Sequence, residues 1–515
     1  MTFDLRSFIL KLYILASIKP FCAYAAEGIG NLWNGRGLGH TEAVLTVSQA
    51  LENLAVGTQS KLLDDLGAKF ADAGFEIALV GGSVRDAFLG KLATDFDLTT
   101  DARPDDTAKL LRSMTKAVWE IGREFGTIGA ELKGIQVEIT TYRADSYQSV
   151  SRKPEVQFGS SLEGDLRRRD FTVNAMALRL PQRVFVDPHE GLAHLIAGRL
   201  QTPGPAEESF SDDPLRMLRA ARFTSQLNLT PSEDTVSAMR KLAGRLEIIS
   251  AERIRDELVK LISSQSPRVG LEMLVETGLA DHFLPELPAL RLETDEHHHH
   301  KDVYQHSLQV LEQAIDFGRD YGLESDSVLR LAALLHDIGK PATRKLEPGG
   351  AVSFYHHDVV GAKLAKRRLT ALRFDKDTIE QVSRLIELHL RFFGYSDQPW
   401  SDSAVRRYVR DAGKQLNRLH VLTRADVTTR NKRKAERLAH AYDDLENRID
   451  QLAAEEELAA MRPALNGNEI MEILGLGPSP LVGEAYQFLM ELRLDEGELS
   501  ASEAKDRLLS WWASR

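Results

Sequence analysis

Cysteine is almost absent from this chain of 515 residues, in which Cys22 is the only one. A single cysteine excludes an internal disulfide framework and a zinc site built from cysteine thiolates, and it suits a reducing compartment. The sequence also has no repeat of fixed period, and no apolar run of roughly 18 residues, the length that a membrane-spanning helix needs. We therefore expect a cytoplasmic protein without a membrane partner.

An excess of positive charge is also missing. Lysine and arginine number 65 against 76 aspartates and glutamates, so the formal net charge at pH 7 is -11. A polyanionic partner would have to bind to a local basic patch, because the protein as a whole repels it. The composition is otherwise ordinary for a globular protein, with 43% hydrophobic and 27% charged residues. The length predicts about three or four domains.

Residues 1–58 are predicted to form an N-terminal extension, either disordered or included through a wrongly assigned start. The apolar segment Phe8–Ala26 has only a loose likeness to an export signal, because Lys11 and Lys19 interrupt it. Asp4 also stands where such signals carry basic residues. We therefore do not expect export.

The rest of the chain divides into a region of mixed strands and helices and a longer region of helices alone. Short apolar runs bounded by glycine, such as Ile77–Val80, predict strands, and Gly134 is placed to turn a hairpin. Beyond Gly191, apolar residues recur at helical spacing in one segment after another. The predicted fold class is α+β followed by all-α, with domains at 59–190, 191–295, 296–438 and 439–515, the last of these a helical acidic tail.

A phosphate-binding turn is predicted directly after the first strand. Gly81 and Gly82 break the strand Ile77–Val80, and Ser83 is a good N-cap for the helix that follows. Backbone N–H groups at such a turn can approach a phosphate closely, and the helix dipole favours its negative charge. Arg85 in the first helical turn adds a charged fork for phosphate oxygens.

Two carboxylates follow on the next predicted strand. Asp95 and Asp97 are two residues apart, so both side chains point to the same face of that strand. Hard oxygen ligands beside a phosphate site suit Mg²⁺, which binds to few carboxylates plus substrate phosphates. Glu138 on a later strand is either a third carboxylate of this site or only an ion-pair partner of Arg143 or Arg123.

These residues resemble the signature of a known family. Gly81–Gly90 (GGSVRDAFLG) with Asp95–Asp97 (DFD) is similar to the first motif of the class II tRNA nucleotidyltransferases and poly(A) polymerases, in the polymerase-β-like superfamily. The resemblance extends over roughly residues 62–287, with Asp212 a conservative departure from the usual acidic residue at its position. Three further segments resemble the family's later motifs in order: Arg168–Ala177, Asp213–Phe223 and Ala251–Leu258.

The resemblance implies a polymerase-β-like head with a small mixed sheet, an all-α neck and body, and addition of CCA to tRNA from CTP and ATP. Poly(A) polymerase is the alternative, since it shares every head motif, although the acidic tail speaks against it. An RNA-binding protein with an inactive head and only HD hydrolysis is less consistent with the intact Asp95 and Asp97. A nucleotide-signalling hydrolase–synthetase is less consistent with a head that precedes the HD domain. No obligate protein partner is expected. The implied residues are Asp95 and Asp97 for catalysis and Mg²⁺, and Gly81, Gly82, Ser83, Arg85, Arg169, Asp170, Asn174, Asp213, Arg216, Arg219 and Arg222 for the nucleotide.

The residues of the third motif, Asp213–Phe223, have the chemistry needed to read the base. Asp213 and Arg216 are three residues apart at a helix start and lie side by side. An aspartate acceptor beside an arginine donor can bond the pairing edges of both cytosine and adenine. The alternative is a solvated, salt-bridged helix end. Arg219 and Arg222 follow at further steps of three and are available to phosphates, and Asn174 either contacts the ribose or caps a helix.

A second constellation lies in residues 296–438. Leu331–Pro341 is similar to an HD domain, whose pattern is completed here by His306, His336, Asp337 and Asp426. Imidazole and carboxylate ligands together bind a divalent metal, and the metal can generate hydroxide for phosphoester hydrolysis. The run His297–His300 is interpreted as a solvated entry to this domain. Three more histidines could complete a second ion site: His356, His357 and His389.

Overall fold

The computed structural model describes residues 44–54, 57–91, 94–145, 156–291, 302–348, 352–395, 400–427, 432–456 and 462–515. The predictions for Phe8–Ala26 and His297–His300 therefore lie outside the described residues. Among the helices of the described residues, none is both long and apolar enough to cross a bilayer.

The head is an α+β domain, as expected. Its helices are α1 (Val47–Leu54), α2 (Gly57–Asp72), α3 (Gly82–Phe88), α4 (Pro104–Arg112) and α5 (Leu162–Arg167). Its strands are β1 (Ile77–Val80), β2 (Asp95–Thr100), β3 (Val118–Trp119), β4 (Thr127–Leu132), β5 (Ile135–Thr141), β6 (Arg143–Asp145), β7 (Val156–Phe158), β8 (Ala177–Leu180) and β9 (Val184–Val186).

Seven of these strands form one mixed sheet in the order β3-β4-β5-β2-β1-β8-β9. Only β2 and β5 pair in parallel, with Asp97 opposite Glu138, and the other neighbours are antiparallel. Every side chain of β1 is buried, as expected for a central strand. The predicted hairpin at Gly134 is confirmed, since Lys133 and Gly134 both have positive φ between β4 and β5.

The neck is helical. It contains α6 (Gly191–Ile196), α7 (Ala206–Asp212), α8 (Leu215–Leu227), α9 (Glu233–Leu242), α10 (Ala251–Ile262), α11 (Pro267–Glu276), α12 (Ala280–Phe283), and the short parallel pair β10 (Arg199–Leu200) and β11 (Thr230–Pro231). Ser250 caps α10 by accepting from the Arg253 amide, and the apolar stripe of α10 joins the main core.

The histidine-bearing domain comprises α13 (Val303–Gly318), α14 (Ser327–Leu335), α15 (Lys340–Thr343), a small hairpin of β12 (Lys345–Leu346) and β13 (Val352–Ser353), α16 (His357–Ala371), α17 (Lys376–Leu388), α18 (Asp402–Ala412) and α19 (Leu416–Asp426). Helix α14 is buried from Val328 onward, which explains its continuous apolar sequence. Arg330 of α14 donates to the carbonyls of Ile262 (2.6 Å) and Ser264 (2.7 Å) at the end of α10. These two hydrogen bonds connect the histidine-bearing domain to the neck.

Two predicted boundaries differ from the structure. The last four helices are α20 (Lys432–Glu456), α21 (Gly467–Leu474), α22 (Pro480–Glu496) and α23 (Ala501–Ala513), so α20 runs through the boundary placed at 438. Its apolar stripe, which includes Leu438 and Tyr442, packs into the main core, whereas α21–α23 have a small core of their own. Likewise, α1 lies in the predicted extension 1–58, yet Ala50 is buried in the main core.

Buried His420 is expected to make this fold sensitive to acid. It lies on α19, stacked on Tyr408 with Glu446 3.4 Å away, and burial lowers its pKa to about 4. Because the pKa is near 6.5 in the unfolded chain, the stability that neutral His420 contributes is complete above that value and is lost as the pH falls toward 4. Between pH 7 and 5 this loss is about 2 kcal/mol. Urea denaturation at both pH values should show a weaker pH dependence for His420→Phe, and equal dependence would contradict the prediction.

Candidate functional site

The turn after β1 forms the floor of the candidate site. Gly81 has φ +71°, a conformation that favours glycine, and a Cβ there would lie 3.1 Å from Arg169 Nη1 and 3.8 Å from Asp97 Oδ2. The N-cap of α3 is Gly81 and not Ser83 as predicted. Ser83 instead donates to the Asp95 carbonyl at 3.2 Å, which holds the start of β2 against the turn.

Three carboxylates lie on the face of the sheet next to this turn. Asp95 and Asp97 both project to the exposed side of β2, while Phe96 between them is buried. Parallel pairing places Glu138 of β5 directly beside Asp97. Arg123, the alternative partner of Glu138, bonds to Glu120 and Asp105. The structure thus places these three carboxylates on one face of the sheet.

The surrounding charges act on these carboxylates. The protein walls desolvate Asp97 and raise its pKa, which Asp95 also raises while Arg169 opposes the shift. The pKa of Glu138 is raised by desolvation and by the charges of Asp97 and Asp95. Like charges on this face therefore disfavour ionisation of one another, and a nearby positive charge would relieve that effect.

Arg85 and Asn174 are interior side chains, which corrects their predicted contacts with the nucleotide. Arg85 is 5% exposed, and it donates to Asn174 Oδ1 at 2.6 Å and to Asp86 Oδ1 at 2.8 Å. Asn174 in turn donates to Asp170 Oδ1 at 3.0 Å. Their hydrogen bonds are therefore satisfied within the protein, and they connect α3 to the second motif.

The arginines of the second motif are held by buried acids. Asp165 is fully buried and pairs with Arg168 (2.8 Å) and Arg169 (3.2 Å). Asp170 accepts from Arg219 Nε at 2.7 Å, and its ion pair with Arg219 keeps the pKa of Asp170 well below its usual range despite burial. These contacts fix the guanidinium groups before any ligand binds.

The predicted base-reading pair faces the same cleft as Asp97. Asp213 follows α7, and its Oδ2 accepts from Arg253 of α10 at 3.1 Å. Arg216 in the first turn of α8 donates to Ser209 Oγ at 2.8 Å and to the Arg168 carbonyl at 2.6 Å. Both side chains are therefore oriented by their neighbours, and the sequence interpretation missed the role of Arg253 although it lies in the fourth motif.

Arg222 does not lie in this cleft. It is 7% exposed and donates to Glu257 Oε2 (2.6 Å) and Gln226 Oε1 (2.8 Å). Arg216 and Arg222 are six positions apart on α8, which places them about 120° apart around a helix of 3.6 residues per turn. The predicted nucleotide contact of Arg222 is therefore wrong for this cleft.

The cleft has a volume of about 290 Å³ and is positive on balance, unlike the whole chain. Six arginines and four carboxylates line it, so a nucleoside triphosphate meets a local basic surface. Arg143 and Arg253 were not assigned to the nucleotide from the sequence. The charged lining residues are Asp97, Glu138, Arg143, Arg168, Arg169, Asp170, Asp213, Arg216, Arg219 and Arg253.

A second cluster lies at helix ends in the histidine-bearing domain. His306 Nε2 is 2.9 Å from Asp426 Oδ1 and 3.6 Å from Asp337 Oδ2, and His336 Nε2 is 3.3 Å from Asp337 Oδ2. The four predicted ligands are thus together. Asp337 Oδ1 also lies 3.3 Å from His357 Nε2. Asp337 belongs to two groups of potential ligands, with His306 and His336 on one side and His357 and His389 on the other.

Three of these histidines present a nitrogen suited to a metal. In each, Nδ1 lies within hydrogen-bond distance of the carbonyl three residues earlier: 2.9 Å for His336, 2.8 Å for His357 and 2.6 Å for His389. This contact assigns the proton to Nδ1, and each buried Nε2 has no hydrogen-bond partner among the described residues. His356, by contrast, is exposed and belongs to neither group.

The electrostatics of the cluster favour a cation. Burial disfavours the protonated form of His336, but Asp337 and Asp426 outweigh it and raise the pKa of His336 to about 10. A divalent metal would supply, next to these two carboxylates, the positive charge that protonated His336 otherwise supplies. The backbones at Gly339 and His357 are in close contact, since a Cβ on Gly339 would lie only 2.1 Å from the His357 carbonyl oxygen. This contact keeps the cluster compact.

Three known families match successive parts of the chain. The family described as "Poly A polymerase head domain" matches residues 77–201. The family described as "Probable RNA and SrmB- binding site of polymerase A" matches residues 228–290. The HD domain family matches residues 303–431.

Relatives similar over most of the chain carry related names. "A-adding tRNA nucleotidyltransferase" of Deinococcus radiodurans is 35% identical over 446 residues, 85% of this chain and 95% of the relative. "CC-adding tRNA nucleotidyltransferase" of Thermus thermophilus is 31% identical over 448 residues, 85% of this chain and 94% of the relative. "CCA-adding enzyme" of Levilactobacillus brevis is 42% identical over 208 residues, but this match spans only 40% of the chain and 51% of the relative.

The fold is also that of a solved structure. The CCA-adding enzyme of Bacillus stearothermophilus in complex with CTP superimposes with a TM-score of 0.62 at 23% identity. The similarity covers 89% of this chain and 99% of that one, so it extends from the head through the helical body.

Proposed function

The chain belongs to the tRNA nucleotidyltransferase and poly(A) polymerase family, and on that premise we propose that it adds CMP, CMP and AMP to the 3′ end of tRNA without a nucleic-acid template. The observation that carries the proposal is a single cleft lined by Asp97, Glu138, Asp213 and Arg216. A reactive phosphate and the base of one nucleotide can therefore be held at the same time.

In this proposal the 3′-hydroxyl of the RNA attacks the α-phosphate of CTP or ATP. A new P–O bond forms, the bond to pyrophosphate breaks, and the proton of the hydroxyl passes to solvent. Arg169, beside Gly81, orients the phosphates, and Arg219 holds Asp170 at the cleft wall. Asp213 accepts from the exocyclic amino group of the base, and Arg216 donates to its neighbouring acceptor, an edge that cytosine and adenine share.

Asp95 and Asp97, with Glu138 as third carboxylate, are proposed to hold Mg²⁺. A bound Mg²⁺ would activate the attacking hydroxyl and neutralise charge on the leaving pyrophosphate. The three side chains supply only hard oxygen ligands on one face of the sheet, which fits this ion.

The names of the relatives differ in which nucleotides are added to the tRNA. The two relatives that match over most of the chain are named A-adding and CC-adding. The CCA-adding relative is more identical, but this chain spans about half its length. Poly(A) addition has less support, since these relatives are named for tRNA or for CCA.

Incubation of the purified protein with Mg²⁺ and tRNA lacking its last three nucleotides tests the proposal. We expect three added residues, then a stop, and a requirement for both CTP and ATP. A stop after two residues with CTP alone would make it a CC-adding enzyme. Addition of one AMP only to tRNA that already ends in CC would make it an A-adding enzyme. A long ladder from ATP alone would make it a poly(A) polymerase.

A second activity is proposed for the HD domain, because the buried Nε2 atoms of His336 and His357 face Asp337, and that of His336 also lies 3.5 Å from Asp426. His306, His336, Asp337 and Asp426 are proposed to hold one divalent metal, with His357 and His389 as ligands on the other side of Asp337. A bound metal would supply hydroxide for phosphoester hydrolysis. The proposed substrates are 2′,3′-cyclic phosphate or 3′-phosphate ends of RNA. Both activities are proposed to take place in the cytoplasm.

A further inference from the structure

Helix α16 has a row of positive charge on its exposed face. The helix begins at His357, a proposed ligand of the HD metal, and ends at Ala371. Lys363, Lys366 and Arg367 on this helix are all exposed. With 3.6 residues per turn, their side chains lie within about 100° of one another around the helix, so they share one face. These three residues are called the basic row below.

The cations of the basic row form no ion pair and no side-chain hydrogen bond with another described residue. The next residue, Arg368, lies on a different face and pairs with Glu286 at 2.8 Å. Asp358, the only acid of α16, lies about 140° from Lys363 around the helix. On α17, which packs against α16, both glutamates pair with cations of α17 itself. In a chain with a net charge of -11, the basic row is therefore a local surface that attracts a polyanion.

An exposed aromatic side chain precedes the basic row. Tyr355 lies two residues before His357 and is 70% exposed. The ring of its neighbour Phe354 lies 5.7 Å from Lys340 Nζ, which in turn pairs with Asp337 Oδ2 at 2.6 Å. The segment before α16 is thus connected to the histidine–aspartate cluster of the HD domain, and Tyr355 offers a free ring beside that cluster.

The cluster is open to solvent at this end of α16. The side chains of His357 and Lys340 are 10% and 20% exposed, whereas that of Asp337 is 1% exposed. A helix rises 1.5 Å per residue, so Lys363 follows His357 by about 9 Å and Arg367 by about 15 Å. Proteins that bind single strands combine cations along the backbone with an aromatic ring for a base. The exposed face of α16 has both elements, in line with the cluster.

We propose that the basic row binds the sugar–phosphate backbone of an RNA strand whose 3′ end lies at the histidine–aspartate cluster, with Tyr355 stacked on a base near that end. The proposal rests on the phosphohydrolase function proposed for the HD domain and deepens it, because it assigns the surface that holds the RNA. The backbone contacts are independent of sequence, since phosphates are the same in every nucleotide.

Binding of a short single-stranded RNA with a 3′-phosphate to the full chain, measured by fluorescence anisotropy at several salt concentrations, tests the basic row. In Lys363→Ala/Lys366→Ala/Arg367→Ala, the slope of log Kd against log salt concentration should fall by about 2, because each phosphate contact to a single strand contributes about 0.7. At low salt, Kd should rise at least about tenfold.

The matched control removes the same charge at three exposed lysines outside the basic row and both candidate sites: Lys61→Ala/Lys414→Ala/Lys505→Ala. It should keep the slope and the Kd of the wild type. Equal slopes in the two triple variants, with Kd values within about twofold of each other, would overturn the proposal. Equal urea midpoints show that both variants are folded.

Hydrolysis separates this inference from the activity on which it rests. The basic-row variant should lower kcat/KM for RNA with a 2′,3′-cyclic phosphate about tenfold through KM, and leave that for a 2′,3′-cyclic mononucleotide within about twofold. An equal loss on both substrates would overturn the proposal. Tyr355→Ala should raise KM for both about tenfold, whereas Tyr355→Phe keeps the ring and should match the wild type. If the wild type hydrolyses neither substrate, the HD activity fails, and the salt slopes alone decide the basic row.

Discussion

Replacement of Asp97 by asparagine is expected to lower the rate of nucleotide addition by roughly 10²–10³-fold, the effect of removing one group that stabilises charge in a transition state. Asp97 lines the cleft, with Asp95 on the same strand face and Glu138 opposite in register. Asparagine keeps the size but removes the charge that holds the metal. Single-turnover addition of CMP to tRNA without its CCA end measures the loss.

The control for this variant is Asp106→Asn, which makes the same charge change at an exposed position of α4. It should leave the rate unchanged. Glu138→Gln in the same assay tests the third carboxylate, and a loss there would assign it to the metal. Addition by Asp97→Asn at the rate of the control would contradict the proposed site, since the remaining residues offer no equivalent ligand at that point of the sheet.

Local spacing was enough to predict the two aspartates. Side chains alternate along a strand, so Asp95 and Asp97 had to share a face once β2 was recognised. The position of Glu138 could not be predicted in this way, because it depends on the parallel pairing of β2 with β5 over 41 residues of sequence. Such long-range register is set by tertiary packing, which a local pattern does not contain.

The two wrong arginine assignments have different physical causes. Arg222 was grouped with Arg216 and Arg219 because residues three apart are neighbours on a helix, but each step of three rotates the side chain by about 60°, so Arg222 lies about 120° from Arg216. Arg85 is on the expected helix, yet its long side chain turns inward to Asn174. Its hydrogen-bond partner lies 89 residues away in sequence, so no spacing rule identifies it.

Helix α10 is the physical connection between the two candidate sites. Its N-terminal part contributes Arg253 to the nucleotide cleft, and Glu257 near its middle holds Arg222. Its C-terminal carbonyl at Ile262 accepts from Arg330 of α14, the helix that ends at His336. One helix of the neck therefore contributes to the nucleotide cleft and is also hydrogen-bonded to the HD domain.

Asp337→Asn is expected to abolish phosphohydrolysis while nucleotide addition continues. Asp337 is 1% exposed, and its two oxygens face His336 and His357 on opposite sides, so no other residue can replace it as a shared ligand. Mutation of a residue that only hydrogen-bonds to a metal ligand typically lowers metal affinity or activity by about 10–100-fold. Because Asp337 is proposed as a ligand itself, the rate of hydrolysis should fall by at least about 100-fold. The measurements are release of phosphate from RNA with a 3′-phosphate, opening of a 2′,3′-cyclic phosphate, and the metal content per chain.

Two further variants separate loss of metal from loss of fold. Asp377→Asn changes an exposed aspartate at the start of α17 and should retain metal and hydrolysis. His389→Gln keeps a polar group in the buried cluster but removes a ligand nitrogen, so it should lower metal content without uncovering a buried charge. Full hydrolysis by Asp337→Asn would contradict the proposed centre. Loss of hydrolysis with unchanged CMP addition would show that the two sites work independently despite their connection through α10.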